Sequence, residues 1–385
     1  MAGHRGFISG PAGSNARQKP VGLSAGLTPV RILQTKTLRL CPVVIGEYPV
    51  KAIRFSSPGN PADVLSVQDI AQPAPANGEV LVRMLASPIN PSDLMYVRGH
   101  YTVPAVCPAT PGFEGVGMVE QSGGGLRGRL MKGRRVVVLN SRGGNWADYA
   151  VVPATQVIPV SQSLSLDEAA TFFVNPATAW VMTQEVLRVP QGAWLVQTAA
   201  GSALGRMIIR LGRQLGFRTL NLVRREQQAE ELRAAGADAV LVVDDQKTTT
   251  SETAAAIRQF VGSGGVQFAV DCVGGPLGSA VIESLGRGGR ILAFGTLSGL
   301  PLNFSPRTLM TVGSSIEGFW LGNFMASRGF LFKLQLVRTL TSLIRAGVLN
   351  TEIAGTWSPD SIRDAVIAAE ASDVSGKCLL KFAER

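Results

Sequence analysis

The sequence predicts an α/β protein of two domains, a barrel-type β domain followed by a doubly wound parallel sheet. Three observations carry this expectation. The chain has 385 residues, enough for two buried cores. Residues 50–172 read as short apolar runs broken by Gly and Pro. From about residue 190 the rhythm becomes strand then helix, repeated.

In order, the first half offers strands at Lys51–Phe55, Val80–Met84, Gly115–Val119, Arg135–Leu139 and Trp146–Val152. Turn residues between them suit a barrel-like arrangement. The second half opens with a buried strand, Trp194–Thr198. A helix follows, with Leu204, Ile208, Leu211 and Leu215 on one face. Then come strand Thr219–Val223, helix Glu226–Ala235, strand Ala239–Val243, helix Thr253–Val261 and strand Gln267–Asp271. Helix Leu277–Leu285, strand Arg290–Phe294 and a strand near Ile316–Trp320 complete six strands with helical crossovers. A long amphipathic helix, about Phe330–Ala346, and a strand at Lys377–Lys381 close the chain.

Composition narrows the chemistry. Only two histidines occur, His4 and His100, so mechanisms needing several imidazoles are excluded. The four cysteines, Cys41, Cys107, Cys272 and Cys378, are scattered, which disfavours a disulfide scaffold or a cysteine zinc cluster. The net charge of +10 is concentrated: residues 1–46 hold six cations and no acid, leaving +4 elsewhere. With no interleaved basic and aromatic stripe, nucleic acid is not expected as a partner. No apolar run reaches the ~18 residues of a membrane span. The stretch 1–46 has two readings. One is a basic N-terminal extension on a cytoplasmic protein; the other is a mitochondrial transit segment, Arg-rich and acid-poor.

Strand Trp194–Thr198 runs into Thr198-Ala-Ala-Gly-Ser-Ala-Leu-Gly205 and then a helix. Small residues let the backbone turn sharply, and a helix start offers free N–H groups to a pyrophosphate. The fingerprint G-x-G-x-x-G would place Gly at 200, 202 and 205; here those positions are Ala200, Ser202 and Gly205. The next strand ends at Arg224 and Arg225, where NAD-binding chains carry an acid for the ribose hydroxyl. Arginine suits a 2′-phosphate, so NADPH is expected over NADH. Arg206, Arg210 and Arg213 share one helix face. They read as a solvated face, with a docking patch for an acidic carrier as the alternative.

Several separated segments carry a resemblance. They are Asn90-Pro-Ser-Asp93, Arg98-Gly-His-Tyr101, Pro111-Gly-Phe-Glu-Gly-Val-Gly117, Phe173-Val-Asn-Pro-Ala-Thr178, Asp271-Cys-Val-Gly-Gly275 and Glu317-Gly-Phe-Trp-Leu321. Over residues 50–385 the chain resembles the medium-chain dehydrogenase/reductase superfamily. Within it, the likeness is greatest to mitochondrial-type trans-2-enoyl-thioester reductases, with quinone oxidoreductases next. The resemblance implies a GroES-like catalytic domain from residues 47–172 and 323–385, and a Rossmann NADPH-binding domain at 173–322. It implies an oxidoreductase acting on enoyl-CoA or enoyl-acyl-carrier-protein in fatty acid synthesis, and a homodimer formed through edge pairing of the cofactor sheets.

Zinc-dependent relatives hold a catalytic metal with Cys and His. This chain reads Asn90 and Phe113 there, and Val174-Asn175-Pro176 near the third ligand, so no metal is expected. A proton donor is then needed, and the resemblance assigns it to Tyr101. A phenol is protonated at neutral pH and can donate. On spacing alone Tyr101 reads equally as a packing residue, and His100 is a rival acid. By the same resemblance, Asn175 and Thr178 touch the nicotinamide half of the cofactor. Gly201, Ser202, Ala203 and Leu204 form the phosphate loop, although relatives usually have Gly-Val where Ala203-Leu204 stands. Phe294, Gly295, Thr296 and Leu297, with Phe319, Trp320, Leu321 and Gly322, would pack around the nicotinamide, and Lys377, which matches a family lysine near the end of the chain, is expected among the cofactor-binding residues. Trp320 has a second reading as a core aromatic, and Cys272 reads as a buried small residue.

Overall fold

The computed structural model describes residues 49–244, 247–371 and 375–383. The basic stretch 1–46, with its transit-segment reading, falls outside them. Fifteen strands are found among the described residues. Seven precede the parallel sheet: β1 (Pro49–Arg54), β2 (Ser66–Ala71), β3 (Glu79–Pro88), β4 (Glu114–Ser122), β5 (Arg135–Leu139), β6 (Tyr149–Pro153) and β7 (Val157–Pro159). Six form the parallel sheet: β8 (Trp194–Gln197), β9 (Arg218–Val223), β10 (Ala239–Val242), β11 (Val266–Asp271), β12 (Leu285–Ala293) and β13 (Ser315–Gly318). The last two are β14 (Ile353–Trp357) and β15 (Lys377–Lys381).

The parallel sheet has the order β10-β9-β8-β11-β12-β13. The order reverses between β8 and β11, and ligands bind at the carboxyl ends of strands at such a switch point. These strands are nearly continuous apolar runs because helices cover both faces. Leu195, Val196, Leu220, Leu222, Ala269 and Val270 are all buried. The helix Ala203–Leu215 is capped by Ser202, whose side chain accepts from Gly205 N, and ends at Gly216 with φ +83°.

β3, β4, β5, β7, β14 and β15 form a second sheet in the order β14-β15-β3-β4-β5-β7, with β6 also pairing β3. All its pairings are antiparallel except β14 with β15. Its core is built from alternate residues such as Val80, Val82 and Met84, with Val136, Val138 and Trp146 facing them. The C-terminal β15 pairs with β3, so the end of the chain returns to the sheet built by its beginning.

Several elements differ from expectation. The helix expected at Thr253 starts at Thr250, because Thr249 and Glu252 form a reciprocal cap. The strand expected from Trp146 starts at Tyr149, while Ala147 forms an isolated bridge to Ala52. In the stripe Arg206, Arg210 and Arg213, only Arg213 is exposed as a solvated face requires. Arg206 is only 8% exposed, and its guanidinium meets Glu231 Oε2 at 2.5 Å and Gly201 O at 3.2 Å. Arg210 donates to Val348 O at 2.8 Å and to Asn350 O. Both guanidiniums are consumed by partners from distant segments, which a helical wheel cannot show.

Candidate active site

At the carboxyl end of β8 the chain turns through Thr198–Ser202 into the helix Ala203–Leu215. The turn is unusually tight. Ala199 has φ +49°, and a Cβ on Gly205 would stand 2.4 Å from Ala200 O. Only glycine fits at 205, while 200 and 202 tolerate Ala and Ser. The first N–H groups of that helix, at Ala203 and Leu204, have no intrahelical acceptor and open toward the crevice end of the sheet. A buried network pins the turn. Gln197 Nε2 donates to Gly205 O at 3.0 Å and to Asn221 Oδ1 at 2.6 Å. Thr198 Oγ1 donates to Asp271 Oδ1 at 2.6 Å, tying the ends of β8 and β11 together across the switch point. Asp271 also accepts from Val273 N and Gly274 N.

β9 ends at Val223, and the two predicted arginines follow. Arg224 is exposed, and Arg225 is half-buried at the start of the helix Glu226–Ala234. Arg225, Gln228 and Gly201 line one small cavity beside the turn. The sheet thus brings Arg225 to the glycine loop and leaves the neighbouring guanidinium of Arg224 in solvent beside it.

The second sheet supplies the other wall. Pro91–Val97 is a short helix with Pro at its first position, where a missing N–H costs nothing. The loop after it carries Tyr101. Its ring packs on Phe113 at 4.9 Å and on Trp320 at 5.2 Å between centroids. Trp320, which follows β13 of the parallel sheet, is 38% exposed, so the ring contact joins elements of the two sheets. Burial pushes the Tyr101 phenol up to about 12; the charge of Asp93 adds to this, and a hydrogen bond with Ser92 opposes it. His100, the rival acid, is exposed.

Beneath Tyr101 is a charged cluster that sequence reasoning did not assign. Asp93 is fully buried and accepts from Asn90 N at 2.8 Å and Phe113 N at 3.0 Å. Glu114 Oε1 accepts from Phe173 N at 2.7 Å and Val174 N at 2.8 Å. Those two amides open the helix Val174–Trp180, which carries Asn175 and the buried Thr178. Lys377, on β15, is buried, and its charge attracts Glu114 and Asp93. Burial pushes Asp93 up to about 7, raises Glu114 and lowers Lys377, each penalised in its charged form. Lys377 was singled out for the cofactor; its surroundings are these acids. The motifs containing Asp93 and Glu114 were visible in the sequence, but their convergence on Lys377 was not.

The remaining predicted residues are divided. Phe294 is half-buried after β12 and Gly295 sits against Cys272, where a Cβ would stand 2.8 Å from the Cys272 carbonyl. Thr296 and Leu297 are exposed. Phe319 is buried in the core, whereas Leu321 is half-buried and Gly322 exposed beside Trp320. Burial pushes the Cys272 thiol up to about 12, which suits a packing residue and not a nucleophile.

Two family models match the chain. Residues 76–162 match the alcohol dehydrogenase GroES-like domain, and residues 203–334 match the zinc-binding dehydrogenase domain. The mitochondrial enoyl-[acyl-carrier-protein] reductase of Caenorhabditis elegans is 32% identical, over 71% of this chain and 78% of the relative. That of Rattus norvegicus is 30% identical, over 84% and 85%. Among solved structures, a Bacillus thuringiensis protein described as an NADPH:quinone reductase superposes with a TM-score of 0.78. It is 31% identical, over 87% of this chain and 99% of that one. A mycobacterial protein complexed with NADPH gives 0.77 at 26% identity, over 86% and 99%.

Proposed function

Since the chain belongs to the medium-chain dehydrogenase/reductase superfamily and is an oxidoreductase of it, we propose that it reduces trans-2-enoyl thioesters with NADPH. The residues present fit a dinucleotide. The turn at Gly205 has no room for a side chain, the helix behind it offers free N–H groups, and Arg225 stands beside Gly201. Arg224 and Arg225 would hold the adenosine 2′-phosphate. When bound, NADPH supplies hydride to the β-carbon of the substrate.

The protein then has to protonate the α-carbon of the resulting enolate. Tyr101 is the residue proposed for this step. Its phenol stays protonated at working pH because burial, with the rings of Phe113 and Trp320 packed on it, shields it from water. Asp93, through Phe113 N, holds the strand that supports the Tyr101 ring. This shielded phenol, its ring packed on Trp320 just after the last strand of the parallel sheet, is the observation that carries the reading.

The test is steady-state NADPH oxidation with crotonyl-CoA and with a naphthoquinone. Tyr101→Phe should lower kcat for crotonyl-CoA by about 10²–10⁴-fold while the Kd for NADPH holds. Activity with the quinone alone in the unaltered protein overturns the thioester assignment. Quinone reduction is the second reading, favoured by the solved structures described as NADPH:quinone reductases. It needs no carbon acid, so it should survive Tyr101→Phe.

Three further parts of the reading rest on particular observations. A metal is not needed, because the positions of the family's Cys and His ligands carry Asn90 and Phe113. A homodimer is supported by β13, an edge strand whose only strand partner among the described residues is β12. A mitochondrial location is supported by the acid-free, basic composition of residues 1–46 and by the names of the relatives. Among the described residues no helix is long and apolar enough to cross a membrane.

A further inference from the structure

We infer that the exposed first turn of the helix Phe330–Arg345, with Arg328 just before it, is the docking surface for a small acidic carrier protein that presents the enoyl thioester. This inference rests on the thioester reading above. Between Glu317 and Glu352 the sequence holds four cations, Arg328, Lys333, Arg338 and Arg345, and no acid.

The helix buries Leu336, Leu340 and Ile344 and turns Leu331, Arg338 and Arg345 outward. Arg338 leaves the helix about 140° around from Lys333. Arg328 and Lys333, on either side of the first turn, are exposed, and neither forms an ion pair with a described residue. Phe330 and Leu331 stand among them 67% and 79% exposed. Unpaired cations around two uncovered apolar side chains fit an acidic protein surface with an apolar centre. Carboxylates would steer the approach and the apolar contact would seat it.

Position supports the same occupant. Trp320 contacts the Tyr101 ring, and the next residue of that segment begins the short helix Leu321–Ala326. From Phe319 a run of rings continues outward: Phe319 to Phe324 at 6.3 Å, then Phe324 to Phe332 at 5.8 Å. The Arg328 guanidinium caps that run, 4.3 Å from the Phe324 ring centre. The basic face therefore begins where the aromatic wall of the site reaches solvent. A carrier seated there can feed a thioester on a flexible arm toward Tyr101. Another acid-free basic stretch, residues 121–147 with six cations, begins at the far end of β4 from Glu114.

The experiment compares crotonyl-CoA with crotonyl-acyl carrier protein on the full chain. Arg328→Glu/Lys333→Glu should raise KM for the carrier-bound substrate about tenfold or more and flatten its salt dependence, with kcat unchanged. KM for crotonyl-CoA should stay within about twofold. Arg129→Glu/Lys132→Glu, with the same charge change at the far end of β4, should leave both substrates unaffected. Circular dichroism and light scattering confirm an unaltered fold and mass. Three results overturn the inference: an unchanged KM for the carrier substrate, an equal rise for both thioesters, or a changed oligomeric mass, which would assign the face to a second copy. Turnover of neither thioester by the unaltered protein instead removes the thioester reading itself, and this surface with it.

Discussion

Tyr101 and Asp93 are neighbours whose burial pushes them in the same direction with different consequences. For Tyr101 the neutral form is the one the proposed protonation needs. Its phenol is held up to about 12, so the proton donor is fully charged with its proton across the usable range. The rate of enoyl reduction at saturating NADPH should therefore be flat between about pH 7 and 10. An imidazole donor, with its reference value near 6.5, would lose about tenfold per unit above 7. A steady decline over that range in a pH-rate profile would remove Tyr101 from the role. For Asp93 the consequence is for stability. Its ordinary value is 3.8 and burial carries it to about 7 in the folded protein. Folding therefore takes up a proton between those values. The stabilisation is complete below pH 4 and is lost as pH rises through 7. Urea midpoints should fall from pH 5 to pH 8. Asp93→Asn should abolish most of that slope while costing about 1–3 kcal/mol for the amide acceptor it loses. A slope unchanged in Asp93→Asn would assign it to another group.

At the scale of elements, the glycine-type turn is the most demanding piece. A Cβ at Gly205 would meet Ala200 O at 2.4 Å and Ala200 Cα at 2.7 Å, both backbone atoms. The turn cannot yield without moving the helix away from β8. Gly205→Ala should cost about 1–3 kcal/mol and weaken NADPH binding about tenfold or more, read by fluorescence titration. This turn was legible in the sequence because a buried strand, small residues and a 3–4 apolar spacing follow one another without interruption. Other elements were hidden for identifiable reasons. The helix Val174–Trp180 contains Pro176, which reads as a breaker, yet Pro176 sits in the first turn, where no N–H is needed. The strand β14 has Gly355 at its centre and only partly buried neighbours, so it lacks the apolar alternation of a core strand. In the site itself, Tyr101 was found through a motif on one segment. The acids beneath it escaped because Asp93, Glu114 and Lys377 become a cluster only when a helix, β4 and β15 meet.

At the scale of the whole molecule, Glu114 is the link that matters most. It stands on the mixed sheet but holds the two amides that start the helix bearing Asn175 and Thr178. Through it, the wall that carries Tyr101 is tied to the wall proposed to hold the nicotinamide. Charge at this joint is balanced by Lys377, and the positions of the family's zinc ligands carry Asn90 and Phe113. Dialysis against a chelator should therefore leave kcat unchanged; inactivation restored by zinc would contradict that. Substitution of Glu114 separates its two roles. Glu114→Gln keeps an oxygen for the amides of Phe173 and Val174 but removes a charge facing Lys377. Glu114→Ala removes both, leaving two amides and a buried ammonium without their partner. The expected order of stability is wild type, then Gln, then Ala, with the alanine variant down by about 3–5 kcal/mol in urea denaturation. If Gln and Ala lose equally, the ammonium governs the joint. If Gln is neutral, the amide bonds carry it, and positioning of the helix against the Tyr101 wall is the larger part of what Glu114 does.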